Sequence, residues 1–283
     1  VYIWVIFPKT QNIRIMRQTM NRKILFFDID GTLVTAPPCT VPESTSQAIT
    51  QARKNGHLCF INTGRTRVII PKDLLTLGFD GYVCGCGTQI YMNDQLIFSQ
   101  TIPHDQCVDI VEKLRQFHIP TYFERCDAIL YDGEPHHHPV FPMIQKMAPT
   151  ENIAEYTGEK AATYTFDKYL VSIGPDSDRA GFEKYAKEND MICFDHGNDV
   201  WEVTLARYTK ATGIQFLLDH LGMSLEDSFA FGDSTNDLAM LKYAGTSIAM
   251  GNSMPEIFPF CTYRTTDITD NGIWNAMKHF QLI

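Results

Sequence analysis

The sequence has no CxxC pair, no excess of basic residues, no internal repeat and no low-complexity tract. Nor does it have an apolar run approaching the roughly 20 residues that a membrane-spanning helix needs, so no membrane partner is expected. The eight cysteines, at 39, 59, 84, 86, 107, 126, 193 and 261, follow no disulfide framework. Several sit inside apolar runs such as His57-Leu-Cys-Phe-Ile61, and they read as reduced, buried small hydrophobes of a cytoplasmic protein. Cys84-x-Cys86 is half of a metal-site spacing with no second half in view. With 24 Lys+Arg against 33 Asp+Glu the net charge is −9, so nothing neutralises a phosphate backbone and nucleic acid is not an expected partner. Small anions remain admissible, because a few local donors or a divalent cation can capture them. The apolar stretch Val1 to Phe7 lacks a preceding basic region and is followed by Arg14 and Arg17, so it does not read as a signal peptide. Residues 1–19 are expected to be an extension upstream of a natural start at Met20.

At 283 residues, 44% hydrophobic and 20% charged, the chain can fold as one large domain or two smaller ones without disulfides or structural metals. Lys23-Ile-Leu-Phe-Phe27 is a short apolar run ending in Asp28, the pattern of a buried parallel strand feeding a loop. A helix over 42–55 follows, stopped at Asn55-Gly56, then a strand over 57–61, a helix over 71–77 and a strand over 81–84. Between about 88 and 203 the texture becomes a mixture of short strands and helices, which predicts an α+β insert with an antiparallel sheet. The strand–helix rhythm resumes with a helix over 210–221, strands at 229–231, 246–249 and 261–264, and helices over 236–244 and 273–280. The expected fold is α/β, a Rossmann-like doubly wound parallel sheet formed by 20–87 and 204–283, with 88–203 inserted.

Polar clusters fall at the predicted strand ends, where open parallel sheets bind ligands. They are Asp28-Ile-Asp-Gly-Thr32, Asn62-Thr-Gly-Arg65, the step Thr209-Lys210 opening a helix, and Gly232-Asp-Ser-Thr-Asn-Asp237. Converging Asp28, Asp30, Asp233 and Asp237 repel one another unless a hard divalent cation and a fixed positive group neutralise them, and Mg²⁺ with Lys210 suits that need. A strand-end carboxylate facing a phosphate is a candidate nucleophile, and Asp30, two residues on, a candidate acid and base. Gly31 allows close backbone approach, and Thr63 and Lys210 are placed to hold phosphate oxygens.

These four ordered motifs resemble those of the haloacid dehalogenase-like phosphohydrolases. The stretch Phe231-Gly-Asp-Ser-Thr-Asn-Asp-Leu-Ala-Met-Leu241, with Ala244-Gly245 and Ile248-Ala-Met-Gly-Asn252, is similar to their Cof-like branch. The resemblance, which spans roughly 23–280, implies Asp28 as nucleophile and magnesium ligand, and Asp30 as acid and base whose main-chain carbonyl also ligates the metal. It implies Thr63, Gly64 and Lys210 as phosphate-binding, Asp233 as the remaining protein ligand, and Asn236 and Asp237 as supporting groups. It also implies that the insert is a large α/β cap that chooses the substrate. Asp30 points to a phosphatase or a phosphomutase. Two departures stand out: Cys86-Gly-Thr88 where the branch often has Asn-Gly-Ala, and Ala211 after Lys210 in place of the usual Gly.

The expected activity is Mg²⁺-dependent hydrolysis of a small phosphorylated metabolite, with a sugar phosphate the first choice, by a monomer or homodimer. A sugar phosphomutase and a non-catalytic binder of phosphorylated metabolites are the alternatives. His136-His-His138, in a Pro-rich stretch without acidic or cysteine partners, reads as an exposed or cap-lining loop before a metal site. Tyr122, Phe123, Tyr131 and Trp201 read as core before a substrate-stacking wall. Arg65 stands close enough to the second motif to touch substrate or to be a surface residue.

Overall fold

The computed structural model describes residues 22–37, 39–132 and 140–283. The expected extension 1–19, the start at Met20 and the histidines 136–138 lie outside the described residues. The first apolar runs form the strands β1 (Ile24–Phe27), β2 (Leu58–Asn62) and β3 (Gly81–Cys84), each wholly buried as a strand covered on both faces must be. β4 (Gln89–Met92) and β5 (Gln95–Ser99) follow as a hairpin. A second sheet takes β6 (Thr121–Glu124), β7 (Ile129–Asp132), β8 (Ile153–Glu155), β9 (Lys168–Ser172), β10 (Met191–Asp195) and β11 (Val200–Leu205). The chain then returns to the first sheet with β12 (Ser228–Gly232), β13 (Thr246–Ala249) and β14 (Tyr263–Arg264).

The first sheet has the order β14-β13-β12-β1-β2-β3-β4-β5, parallel except for the antiparallel β4 and β5. Strand alternation sends Leu25, Phe27, Cys59 and Ile61 to one face, against the helices Glu43–Lys54 and Gly272–His279. Ile24, Phe26, Leu58 and Phe60 go to the other, against Lys210–Leu221 and Leu238–Tyr243. This is the doubly wound α/β layering expected from the sequence. The second sheet, β10-β11-β9-β6-β7-β8, is antiparallel apart from the parallel pair β7 and β8. One face packs on the helices His104–Gln116 and Arg179–Glu188, and the other on Phe141–Met147.

Two expectations change and one holds. The boundary at 88 separates β4 and β5 from the strand they pair with: Val83 is in register with Ile90, so the hairpin widens the first sheet. The helix expected over 236–244 divides into a 3₁₀ turn, Thr235–Asp237, and the helix Leu238–Tyr243, because the Ser234 and Asp237 side chains cap the turn between them. Tyr122, Phe123 and Trp201 are buried in the packing of the second sheet, and none of them lines the cavity described next.

Candidate active site

Phe27 is in register with both Ile61 and Phe231, so β1, β2 and β12 end in one layer. Asp28, one residue on, and Thr63 and Asp233, two residues on, therefore share the carboxyl edge of the sheet where its order passes from β1 to β2 on one side and β12 on the other. The Asp28 N–H donates to the Phe231 carbonyl at 3.0 Å, carrying the pairing one residue past the strand. Lys210 is set by a helix start: the Thr209 side chain accepts from the Thr212 N–H, and the Thr212 hydroxyl accepts from the Thr209 N–H. The Asn62 carboxamide donates to the Lys210 carbonyl at 2.9 Å, tying that helix to the end of β2.

Lys210 is 2% exposed, and its Nζ lies 2.6 Å from Asp28 Oδ1 and 2.6 Å from Asp237 Oδ1. Burial opposes its charge, but the two carboxylates outweigh burial and hold the amine protonated. Asp237 uses its other oxygen to accept the Asp233 and Ser234 N–H groups at 2.9 and 3.1 Å. Asp233 Oδ1 accepts from the Thr32 hydroxyl at 3.1 Å. Burial, then the nearby Asp237, pushes the Asp233 carboxyl up to about 7. The same two causes raise Asp28 well above the ordinary carboxylate range, with Lys210 opposing them.

This donor set fits a hard divalent cation. Asp28, Asp233 and Asp237 each offer a carboxylate oxygen within 4.8 Å of the others. Hydrogen bonding discriminates among them: both Asp237 oxygens are engaged, whereas Oδ2 of Asp28 and of Asp233 accepts no hydrogen bond among the described residues. The Asp30 main-chain carbonyl likewise accepts none there. Gly31, at φ +80°, brings that loop onto Asp233; a Cβ there would stand 2.6 Å from Asp233 Cγ.

Of the site residues expected from the sequence, Asp28, Lys210, Asp233 and Asp237 are brought together. Asp30, Thr63, Gly64 and Asn236 line the same cavity, about 580 Å³ in volume. The Asp30 side chain does not join the cluster. It is 61% exposed, and Arg65 donates to it in a fork from Nε at 2.9 Å and Nη2 at 2.6 Å. Arg65 also donates to the Ile69 carbonyl, and its main-chain N–H donates to the Thr63 hydroxyl.

A second charged group was missed from the sequence. Lys168 in β9 is buried between Glu202 of β11 at 2.8 Å and Glu124 of β6 at 3.7 Å, and it donates to the Gly64 carbonyl at 2.9 Å. His196 stands 3.0 Å from Glu202, and the Thr66 hydroxyl donates to Glu124 at 3.1 Å. Despite burial, Lys168 and His196 hold Glu202 well below the usual carboxylate range, whereas burial prevails at the more distant Glu124 and raises it. The available signal was a charged residue inside an otherwise strand-like run, as in Asp167-Lys-Tyr-Leu-Val171 and Trp201-Glu-Val203.

The family model for haloacid dehalogenase-like hydrolases matches residues 25–277. The chain belongs to that family. It is 26% identical to YkrA of Bacillus subtilis over 93% of this chain and all of the relative. It is also 26% identical to the pyridoxal phosphate phosphatase YbhA of Escherichia coli, over 83% of this chain and 89% of YbhA. Among solved structures, a subclass IIB sugar phosphatase of the same superfamily superposes with a TM-score of 0.79 at 27% identity, over 92% of this chain and all of that one. Within this haloacid dehalogenase-like chain the departure at Cys86 has a physical counterpart. Cys86 adopts φ +56°, is buried, and its thiol donates to Glu202 Oε1 at 3.3 Å, so it joins the first sheet's loop to the second sheet.

Proposed function

We propose that this hydrolase is a cytoplasmic, Mg²⁺-dependent phosphatase of a small phosphorylated metabolite, with the second sheet and its helices serving as a cap over the catalytic sheet. The observation that carries this reading is the buried Lys210 shared by Asp28 and Asp237, which leaves Asp28 Oδ2 open toward the cavity. In the proposed reaction Asp28 Oδ2 attacks phosphorus, the ester P–O bond breaks, and the leaving oxygen takes a proton from Asp30. Water then attacks the phosphoryl-aspartate as Asp30 accepts its proton, and orthophosphate departs. Thr63, Gly64 and Lys210 would hold the phosphoryl oxygens, with Asn236 and Asp237 supporting the acidic cluster. Asp28 and Asp233, with the Asp30 carbonyl, would hold the cation, whose positive charge would offset the carboxylates and the phosphate oxygens. For Asp30 to reach a leaving oxygen, its fork with Arg65 must open.

Asp28→Asn should lower kcat by about 10³-fold or more while leaving the circular dichroism spectrum unchanged. Turnover of para-nitrophenyl phosphate by that variant at the wild-type rate would overturn the assignment, and chelation of Mg²⁺ should abolish wild-type turnover. A phosphomutase would instead show transfer between sugar positions with little net phosphate release, and a non-catalytic binder no release from any ester.

A further inference from the structure

We infer, resting on the phosphatase reading, that the preferred ester carries a single phosphate on an uncharged, largely apolar ring, as in the monophosphate of an aromatic or heteroaromatic primary alcohol. The cavity runs from the carboxyl edge of the first sheet to a wall formed by Ile69, Val140, Met143, Met147, Leu170 and Val200. Among the described residues that wall offers a buried substrate body no hydrogen-bonding side chain. A sugar pressed against it would bury hydroxyls without partners, at about 1–3 kcal/mol each, whereas a ring would gain by leaving water. Methionine thioethers also make favourable contacts with aromatic ring edges. The polar edge of the wall is the turn His196-Gly-Asn198. There His196 is engaged by Glu202, and the exposed Asn198 carboxamide makes no hydrogen bond among the described residues, leaving it for one ring substituent.

Charge excludes a second phosphate by the same reasoning. Among the described residues five carboxylates line the cavity, namely Asp28, Asp30, Glu124, Glu202 and Asp233, against two Lys or Arg side chains. Lys168 is held by Glu202, Glu124 and the Gly64 carbonyl; Arg65, once its fork with Asp30 opens, still donates to the Ile69 carbonyl and, two residues past Thr63, stands at the phosphoryl end of the cavity. Among the described residues the apolar wall away from that end carries no Lys or Arg for a distal anion, which a bisphosphorylated sugar requires.

The test uses the full chain with Mg²⁺ and four substrates. Acetyl phosphate reports the hydrolysis itself. Benzyl phosphate and glucose 6-phosphate, both esters of primary alcohols, report the body, and fructose 1,6-bisphosphate reports a second anion. The expected kcat/KM for benzyl phosphate exceeds that for glucose 6-phosphate by about tenfold or more, with the bisphosphate lowest. As a binding readout, benzylphosphonate should raise Tm more than methylphosphonate at equal concentration. Met143 is 47% exposed, so Met143→Lys should fold; it should shrink the benzyl preference severalfold and raise relative turnover of the bisphosphate. If acetyl phosphate is cleaved but glucose 6-phosphate equals or surpasses benzyl phosphate, or Met143→Lys leaves the ratio unchanged, this inference falls and the phosphatase reading stands. If no phosphate is released from any of the four, the phosphatase reading falls and takes the inference with it.

Discussion

Lys210 and Lys168 are both 2% exposed, and each lies between two carboxylates. A buried ammonium survives only with such partners, and removing it leaves their charge uncompensated. Lys210 was legible in the sequence because it opens a helix after a capping threonine; Lys168 begins a strand, and the strand-like run that follows it is the one local sign that it is buried. Its neighbour Asp167 is wholly buried, accepts from the Gln89 carboxamide, and burial pushes its carboxyl up to about 7. Between about pH 4, where an unfolded aspartate titrates, and pH 7, the folded chain holds a proton that the unfolded chain has lost, so rising pH reduces stability over that window. Urea unfolding of wild type and Asp167→Asn should therefore diverge from pH 4 to pH 7 and run parallel beyond. The variant should gain at most about 4 kcal/mol relative to wild type across the window. Parallel curves throughout would mean that Asp167 is ionised in the fold at low pH.

Among the elements, the parallel strands were the most legible, because four or five consecutive apolar residues ending in Asp or Asn-Thr fit little else. β9 and β11 were not, although each lies inside the second sheet, since Lys168 opens the one and Glu202 interrupts the other, and their charges find partners only across strands and from a neighbouring turn. The loop after β1 is a tight turn: Gly31 N–H donates to the Val34 carbonyl at 2.9 Å, and the Asn252 carboxamide donates to the Gly31 carbonyl at 2.8 Å. An alanine at Gly31 would meet a left-handed φ and the Asp233 carboxyl together. Gly31→Ala is expected to cost about 1–3 kcal/mol in urea unfolding and to weaken Mg²⁺ binding severalfold by calorimetry. Unaltered Mg²⁺ affinity would show that the Gly31–Asp233 approach does not shape the cation site.

At the scale of the whole molecule, the two sheets meet through the Lys168 cluster, which reaches Gly64, Thr66 and Cys86 of the first sheet's loops. The substitution Lys168→Met strands Glu124 and Glu202 beside those loops. It should destabilise the protein by about 3–5 kcal/mol at pH 8, and adding Glu124→Gln and Glu202→Gln should recover part of that loss. Equal midpoints for Lys168→Met and wild type in urea would show that the cluster contributes nothing to holding the sheets together. Among the described residues no helix is long and apolar enough to cross a membrane.

The sequence by itself determined the doubly wound sheet and the gathering of Asp28, Lys210, Asp233 and Asp237, because strand ends in a parallel sheet converge whatever the side chains beyond them do. Only the tertiary structure decided that Asp30 turns to Arg65, that Asp237 spends both oxygens on Lys210 and two backbone N–H groups, and that the cavity wall is apolar. Those outcomes depend on which partners other segments bring within 3 Å or so, and no local pattern encodes a hydrogen bond between residues 35 or 182 positions apart.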